Sequence, residues 1–156
     1  MKKIIVLGLV CFLSTCSFGQ IAKTFNDAHR NGIEMARLDS NYMSGVHVDS
    51  TKAAFAGKEE EYFKTWTKML QDLANYLKKN NFSWGQETNC FNKIYFKSDG
   101  SIDYFLYVFS PALVTEKENQ FNTLLNEFIK TYKFGMRNKV NFSQCGPVVY
   151  NDLKKL

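Results

Sequence analysis

Proline is nearly absent from this chain, with 2 in 156 residues, and histidine (2) and glycine (9) are scarce as well. So little proline and glycine excludes a collagenous or linker-like chain. Two histidines leave few ligands for a metal centre, which needs three or four converging side chains. There is no glycine-rich phosphate loop, no HExxH and no GxSxG. Nor is there an internal repeat or a low-complexity tract, and no apolar run reaches the roughly 20 residues of a membrane span. What is abundant is aromatic: 14 Phe, 8 Tyr and 2 Trp make up 15% of the chain. The length supports one domain, and rings of this kind give a small domain a dense core, each removing roughly 150–250 Å² from water.

The start of the chain has three parts. Met1-Lys2-Lys3 is basic, Ile4 to Leu13 is apolar, and Ser14 to Gln20 is small and polar. That layout predicts a secretory signal peptide over residues 1–19, cleaved before Gln20, with Ser17 and Gly19 at the positions a peptidase reads. A single domain, residues 20–156, then remains, periplasmic or secreted. Leu13-Ser14-Thr15-Cys16 offers an alternative route, a lipoprotein anchored through Cys16. Cleavage before Gln20 leaves 137 residues, 18 basic against 15 acidic side chains, and two cysteines, Cys90 and Cys145. An even cysteine count in an oxidising compartment predicts a disulfide between them, stabilising by on the order of 4 kcal/mol for so long a loop.

The mature chain divides into a helical part, 20–85, and a mixed part, 90–150. Residues 21–48 carry helical spacing interrupted at Asn31-Gly32. Asp49-Ser50 can cap a short helix. Over 58–79, Tyr62, Phe63, Trp66, Met69, Leu70, Leu73, Tyr76 and Leu77 keep the helical period. Glu59-Glu60-Glu61 at its start and Lys78-Lys79 at its end suit the helix dipole. Cys90–Lys97 and Ile102–Phe109 flank Ser98-Asp99-Gly100-Ser101, a hairpin pattern. Thr115 with Glu118 opens the next helix as a capping box, and Phe121, Leu124, Leu125, Phe128, Ile129 and Tyr132 fill one of its faces. Lys139–Phe142 and Pro147–Tyr150 are extended.

These elements predict an α+β fold: a three-stranded antiparallel sheet, ββαβ, in order 2-1-3, packed between N-terminal helices and one C-terminal helix. Ile102, Tyr104, Leu106 and Val108 alternate onto one face of the second strand, which this order leaves at an edge. That order also sets Cys90 beside the end bearing Cys145. Strict alternation puts the two on opposite faces, so a bulge near Ser143-Gln144 is required for them to join.

The run Lys93-Ile94-Tyr95-Phe96-Lys97-Ser98-Asp99-Gly100-Ser101-Ile102-Asp103-Tyr104 resembles the hairpin of TonB C-terminal domains, and the order of elements over 90–150 resembles theirs too. The resemblance implies a periplasmic domain that binds an extended partner segment at a sheet edge. The chain lacks the Pro-rich span and retained anchor of TonB, which argues against energy transduction. His47-Val48-Asp49-Ser50-Thr51-Lys52-Ala53, Leu70-Gln71-Asp72-Leu73, and Cys90 with Phe142-Ser143-Gln144-Cys145 together resemble a group of small exported bacterial proteins of uncharacterised function.

Candidate chemistry is sparse. His47, Asp49 and Ser50 are three catalytic residue types in one short run, but triad members converge from separate segments. No metal or cofactor set emerges, and a dispersed charge of +3 gives no nucleic-acid footprint. The expected function is therefore a non-catalytic interaction domain of the cell envelope. Its partner would be another envelope protein, added as a strand along Ile102–Phe109. The alternative is a small-molecule or lipid carrier, or an enzyme, with a pocket between the N-terminal helices and the sheet.

Overall fold

The computed structural model describes residues 19–152. Residues 1–18 of the expected leader, with the Cys16 lipidation motif, lie outside the described residues. In chain order the elements are β1 (Ile21–Thr24), α1 (Phe25–Arg30), α2 (Met35–Asn41), β2 (Met43–Ser44), α3 (Glu59–Lys79), β3 (Thr88–Phe96), β4 (Ile102–Phe109), α4 (Thr115–Thr131) and β5 (Phe142–Tyr150). No helix among the described residues is long and apolar enough to cross a membrane.

The fold is α+β, but the expected three-stranded antiparallel sheet is corrected to a five-stranded mixed one. Its order is β1-β4-β3-β5-β2. β3 runs antiparallel to β4 and β5, while β1 joins β4 and β2 joins β5 in parallel. The two outer strands have four and two residues. Such short pieces cannot show a period of two. They are strands because long neighbours offer them ladders.

The helices obey local rules. Buried Tyr62, Met69, Leu73 and Leu77 recur on one face of α3. Asn81, at φ +59°, ends it in the left-handed conformation. α4 begins at Thr115 with Val114 at its cap and no side-chain capping bond, so the expected capping box does not form. The tight turn between β3 and β4 places Gly100 at φ +85°, where a Cβ would also run into the Phe134 carbonyl.

Both long helices cover the same sheet face. Tyr62 and Leu73 of α3 and Phe121 and Leu125 of α4 share one cluster with Ile94, Phe96, Phe105, Tyr107 and Phe142. α3 does not lie opposite α4, as a sandwich would need. The second face meets only the short helices: Ala28 of α1 and Leu38 of α2 pack with Tyr42 onto Tyr95 and Leu106. A register shift between Tyr95 and Phe96 pairs Ile102 with Phe96 but Tyr104 with Tyr95. This irregularity turns Ile102 onto the α3/α4 face. The expected set Ile102, Tyr104, Leu106 and Val108 therefore does not share one face.

Asp152 ties down the end of β5. Its carboxylate accepts from the Ser83 hydroxyl (2.7 Å) and from the N–H groups of Trp84 (2.7 Å) and Gly85 (2.9 Å). These bonds hold its carboxyl below the usual carboxylate range.

Candidate functional site

The second sheet face is only half covered. Beyond α1 and α2, Val108 of β4, Phe91 of β3 and Pro147 of β5 stand side by side, because Phe91 is paired with both. Phe91 is 41% exposed, Val108 44% and Val149 56%. The Phe25 ring reaches Phe91 at a centroid distance of 6.2 Å and goes no further across. This row contains no charged residue.

One row along, Lys93 is paired with Cys145. The Lys93 ammonium lies 2.6 Å from the Asp39 carboxylate, which also accepts from the Tyr95 hydroxyl at 2.9 Å. Burial, and then the bond to Asp39, push the Tyr95 phenol up. The Tyr42 phenol is raised in the same way, by burial and by its bond to Asp103. Asp39, Tyr42, Lys93, Ser143, Gln144 and Cys145 line a polar cavity of about 360 Å³ between α2 and the sheet.

Neither outer edge is open to a long added strand. β4, the expected edge, is interior, because β1 covers Tyr104 to Tyr107. On β1, the Asn126 side chain accepts from Ala22 N–H (2.9 Å) and donates to Ala22 C=O (3.0 Å). A helix side chain thus takes the place of a neighbouring strand. On β5, the bonds from Met43 N–H to Asn141 C=O and from Gly45 N–H to Ser143 C=O show that odd-numbered residues point outward. Pro147 keeps that phase. It presents a ring where a donor would be, the usual way of blunting an edge. The expected edge position of the strand bearing Ile102, Tyr104, Leu106 and Val108 is therefore corrected to an interior one.

The expected disulfide does not form: Cys90 is a buried free thiol and Cys145 an exposed one. β5 runs through Ser143-Gln144 without a bulge, and Cys90 is paired with Val148 while Cys145 is paired with Lys93. An unbroken alternation leaves the two on opposite faces. Burial pushes the Cys90 thiol up to about 12. Of these two thiols, Cys145 is expected to react with a disulfide reagent within minutes and Cys90 only on unfolding. Fast labelling of Cys90, followed by peptide mapping of the native chain, would contradict the placement.

His47, Asp49 and Ser50 form a local turn. Asp49 N–H donates to His47 Nδ1 (2.9 Å), and the Asp49 carboxylate accepts from Thr51 N–H (3.0 Å) and the Thr51 hydroxyl (2.7 Å). Those Thr51 bonds lower the Asp49 carboxyl. Asp49 caps the short 3-10 turn Ser50–Lys52. No bond joins Ser50 to His47, so the run is a cap and not a relay. Among the described residues, no group of three or more His, Cys, Asp or Glu is placed to hold a metal. Sequence reasoning missed Asn126, whose role depends on a strand 104 residues away. It also passed over Pro147, whose place in an apolar run is itself an edge signal.

No family model, no curated protein and no solved structure matches this chain.

Proposed function

We propose that residues 20–156 form an exported, non-catalytic protein-interaction domain that meets its partner through the uncovered sheet face. The observation that carries this reading is the contrast between faces. One is sealed by α3 and α4, and the other leaves Phe91, Val108, Pro147 and Val149 bare at one end. A contiguous apolar row on a surface otherwise rich in charge is what an interaction site looks like. Face-to-face docking also needs no open sheet edge. Export is supported by the layout of residues 1–20, a basic start, an apolar run from Ile4 to Leu13 and a small polar stretch from Ser14 to Gln20.

The cavity over Cys145 favours a second reading, a small-molecule site between the N-terminal helices and the sheet. Its lining is polar, which suits a polar ligand better than a lipid.

The test is site-specific photocrosslinking in the producing cell, with the crosslinker placed in turn at positions 91, 108 and 149, and at Lys64 on the outer side of α3 as control. The proposal expects one discrete adduct from the three face positions and none from the control. Equal or absent crosslinking at all four positions would defeat it.

A further inference from the structure

We propose that the partner presents an amphipathic helix, whose uncharged apolar stripe lies on the bare half of the second sheet face beside α1. The proposal rests on the interaction reading above and adds the form of the partner. The bare surface is a platform of three strands and two rows. Val108, Phe91 and Pro147 form one row. In the other, Asn89 is paired with Val149, and its C=O accepts from Ser110 N–H (3.1 Å). All six residues are exposed and none is charged.

The spacing of the layers leaves room for one helix. Wherever this sheet is covered, helices cover it: α3 and α4 on the first face, α1 and α2 on the second. α1 packs on β1 and β4, and the next two strands across are β3 and β5. Two strand spacings amount to about 10 Å, and neighbouring helices pack roughly 8–10 Å apart. α2 occupies that lane only as far as Lys93 of β3, which Asp39 holds at 2.6 Å. Phe91 lies beyond it, with the Phe25 ring as a wall on the α1 side.

Size and charge decide the occupant. Phe91, Val108, Val149 and the Pro147 ring offer roughly 300 Å² of apolar surface. Each side of a stable dimer buries about 800 Å², so the patch is too small to hold a second copy of this chain. It matches about two turns of one helix, with anchors at i, i+3 or i+4, and i+7. Lys93, the next residue of β3 on this face, is already paired with Asp39. An incoming charge finds no free counter-ion there, so the partner's stripe is uncharged and apolar burial holds it.

The test maps the adducts of a photocrosslinker at positions 108 and 149 in extracts of the producing cell. The adducts are digested, and the crosslinked partner residues are identified by mass spectrometry. Residues reached from the two positions are expected to lie three, four or seven apart in the partner's sequence, the helical spacing. Raising NaCl from 50 to 500 mM is expected to change the yield less than twofold. Phe91→Asp is expected to lower the yield from position 149 at least tenfold, and Val149→Asp the yield from position 108. Phe63→Asp, at an exposed position of α3, should leave both unchanged. Partner crosslinks two residues apart or scattered over several segments overturn the helix, as do an adduct between two copies of this chain and a tenfold fall in yield at high salt. Each of these outcomes leaves the face as the interaction site. No discrete adduct at any face position defeats the interaction reading, and the helix with it.

Discussion

Asn126→Ala is expected to cost about 3 kcal/mol of stability, because it strips two buried backbone groups of their partners at once. Ala22 is buried, and its outward N–H and C=O are met by the two ends of the Asn126 carboxamide. Alanine offers neither a donor nor an acceptor. Each orphaned group then bears its own desolvation cost, which exceeds what a formed bond contributes. The loss has a local signature. Amides of Ile21 to Thr24 should lose exchange protection well before those of β3, and the bared β1 edge should raise aggregation. Asn126→Asp keeps an acceptor for Ala22 N–H but opposes a carboxylate to Ala22 C=O, so it should fall at least as far. Urea unfolding together with amide exchange checks both. A loss under about 1 kcal/mol would mean that β1 does not depend on the carboxamide.

Gly45→Ala should be more damaging still. A Cβ at Gly45 would overlap the hydroxyl and Cζ of Tyr62 and lie 3.0 Å from its Cε2. Tyr62 cannot retreat. It is fully buried, with its ring between Phe55 at 5.1 Å and Phe134 at 5.4 Å. Overpacking against a fixed ring costs typically 1–3 kcal/mol, and more where nothing can give way; about 4 kcal/mol is expected. Tyr62→Phe goes the other way. The Tyr62 hydroxyl is buried without a hydrogen-bond partner, so deleting it should gain about 1 kcal/mol. The two changes share one contact and will not add. Gly45→Ala made in the Tyr62→Phe background should cost about 1 kcal/mol less than in the parent, as read by a double-mutant cycle of thermal unfolding. Strict additivity would show that the hydroxyl is not what the new methyl strikes.

These two sites lie where the sequence was least legible. The parts it showed were those whose cause is local. The Tyr62–Leu77 stripe with its charged ends, the Phe121–Ile129 stripe and the Asp99-Gly100 turn each carry their pattern within a few residues. β1 and β2 carry none. Ile21, Phe25 and Ala28 have helical spacing, yet a strand ends at Thr24 and a helix starts at Phe25. Parallel pairing with Tyr104 to Tyr107 outweighs a weak local preference over four residues. The pairing of Cys90 with Cys145 failed for a related reason. Composition puts two thiols in residues 20–156, but only register says which face each one occupies. One residue of phase separates the two outcomes.

The bare face was undecidable from sequence. Apolar residues on both sides of β4 say that each face has something to bury. They do not say how many helices share a face. Packing α3 beside α4 lets Tyr76 meet Phe128 at 5.5 Å and joins both stripes into one core. That choice leaves, among the described residues, thirteen helical residues in α1 and α2 for the other face.

By itself, then, the sequence determined the long helices, the hairpin, the α+β class and the aromatic wealth of the core, because periodicity and turn chemistry act over a few residues. Tertiary structure alone decided the five-strand order, the separation of the thiols, the closed sheet edges and the half-covered face. Each of these depends on which distant segments come into contact, and hydrophobic burial is non-directional until register and packing fix its geometry.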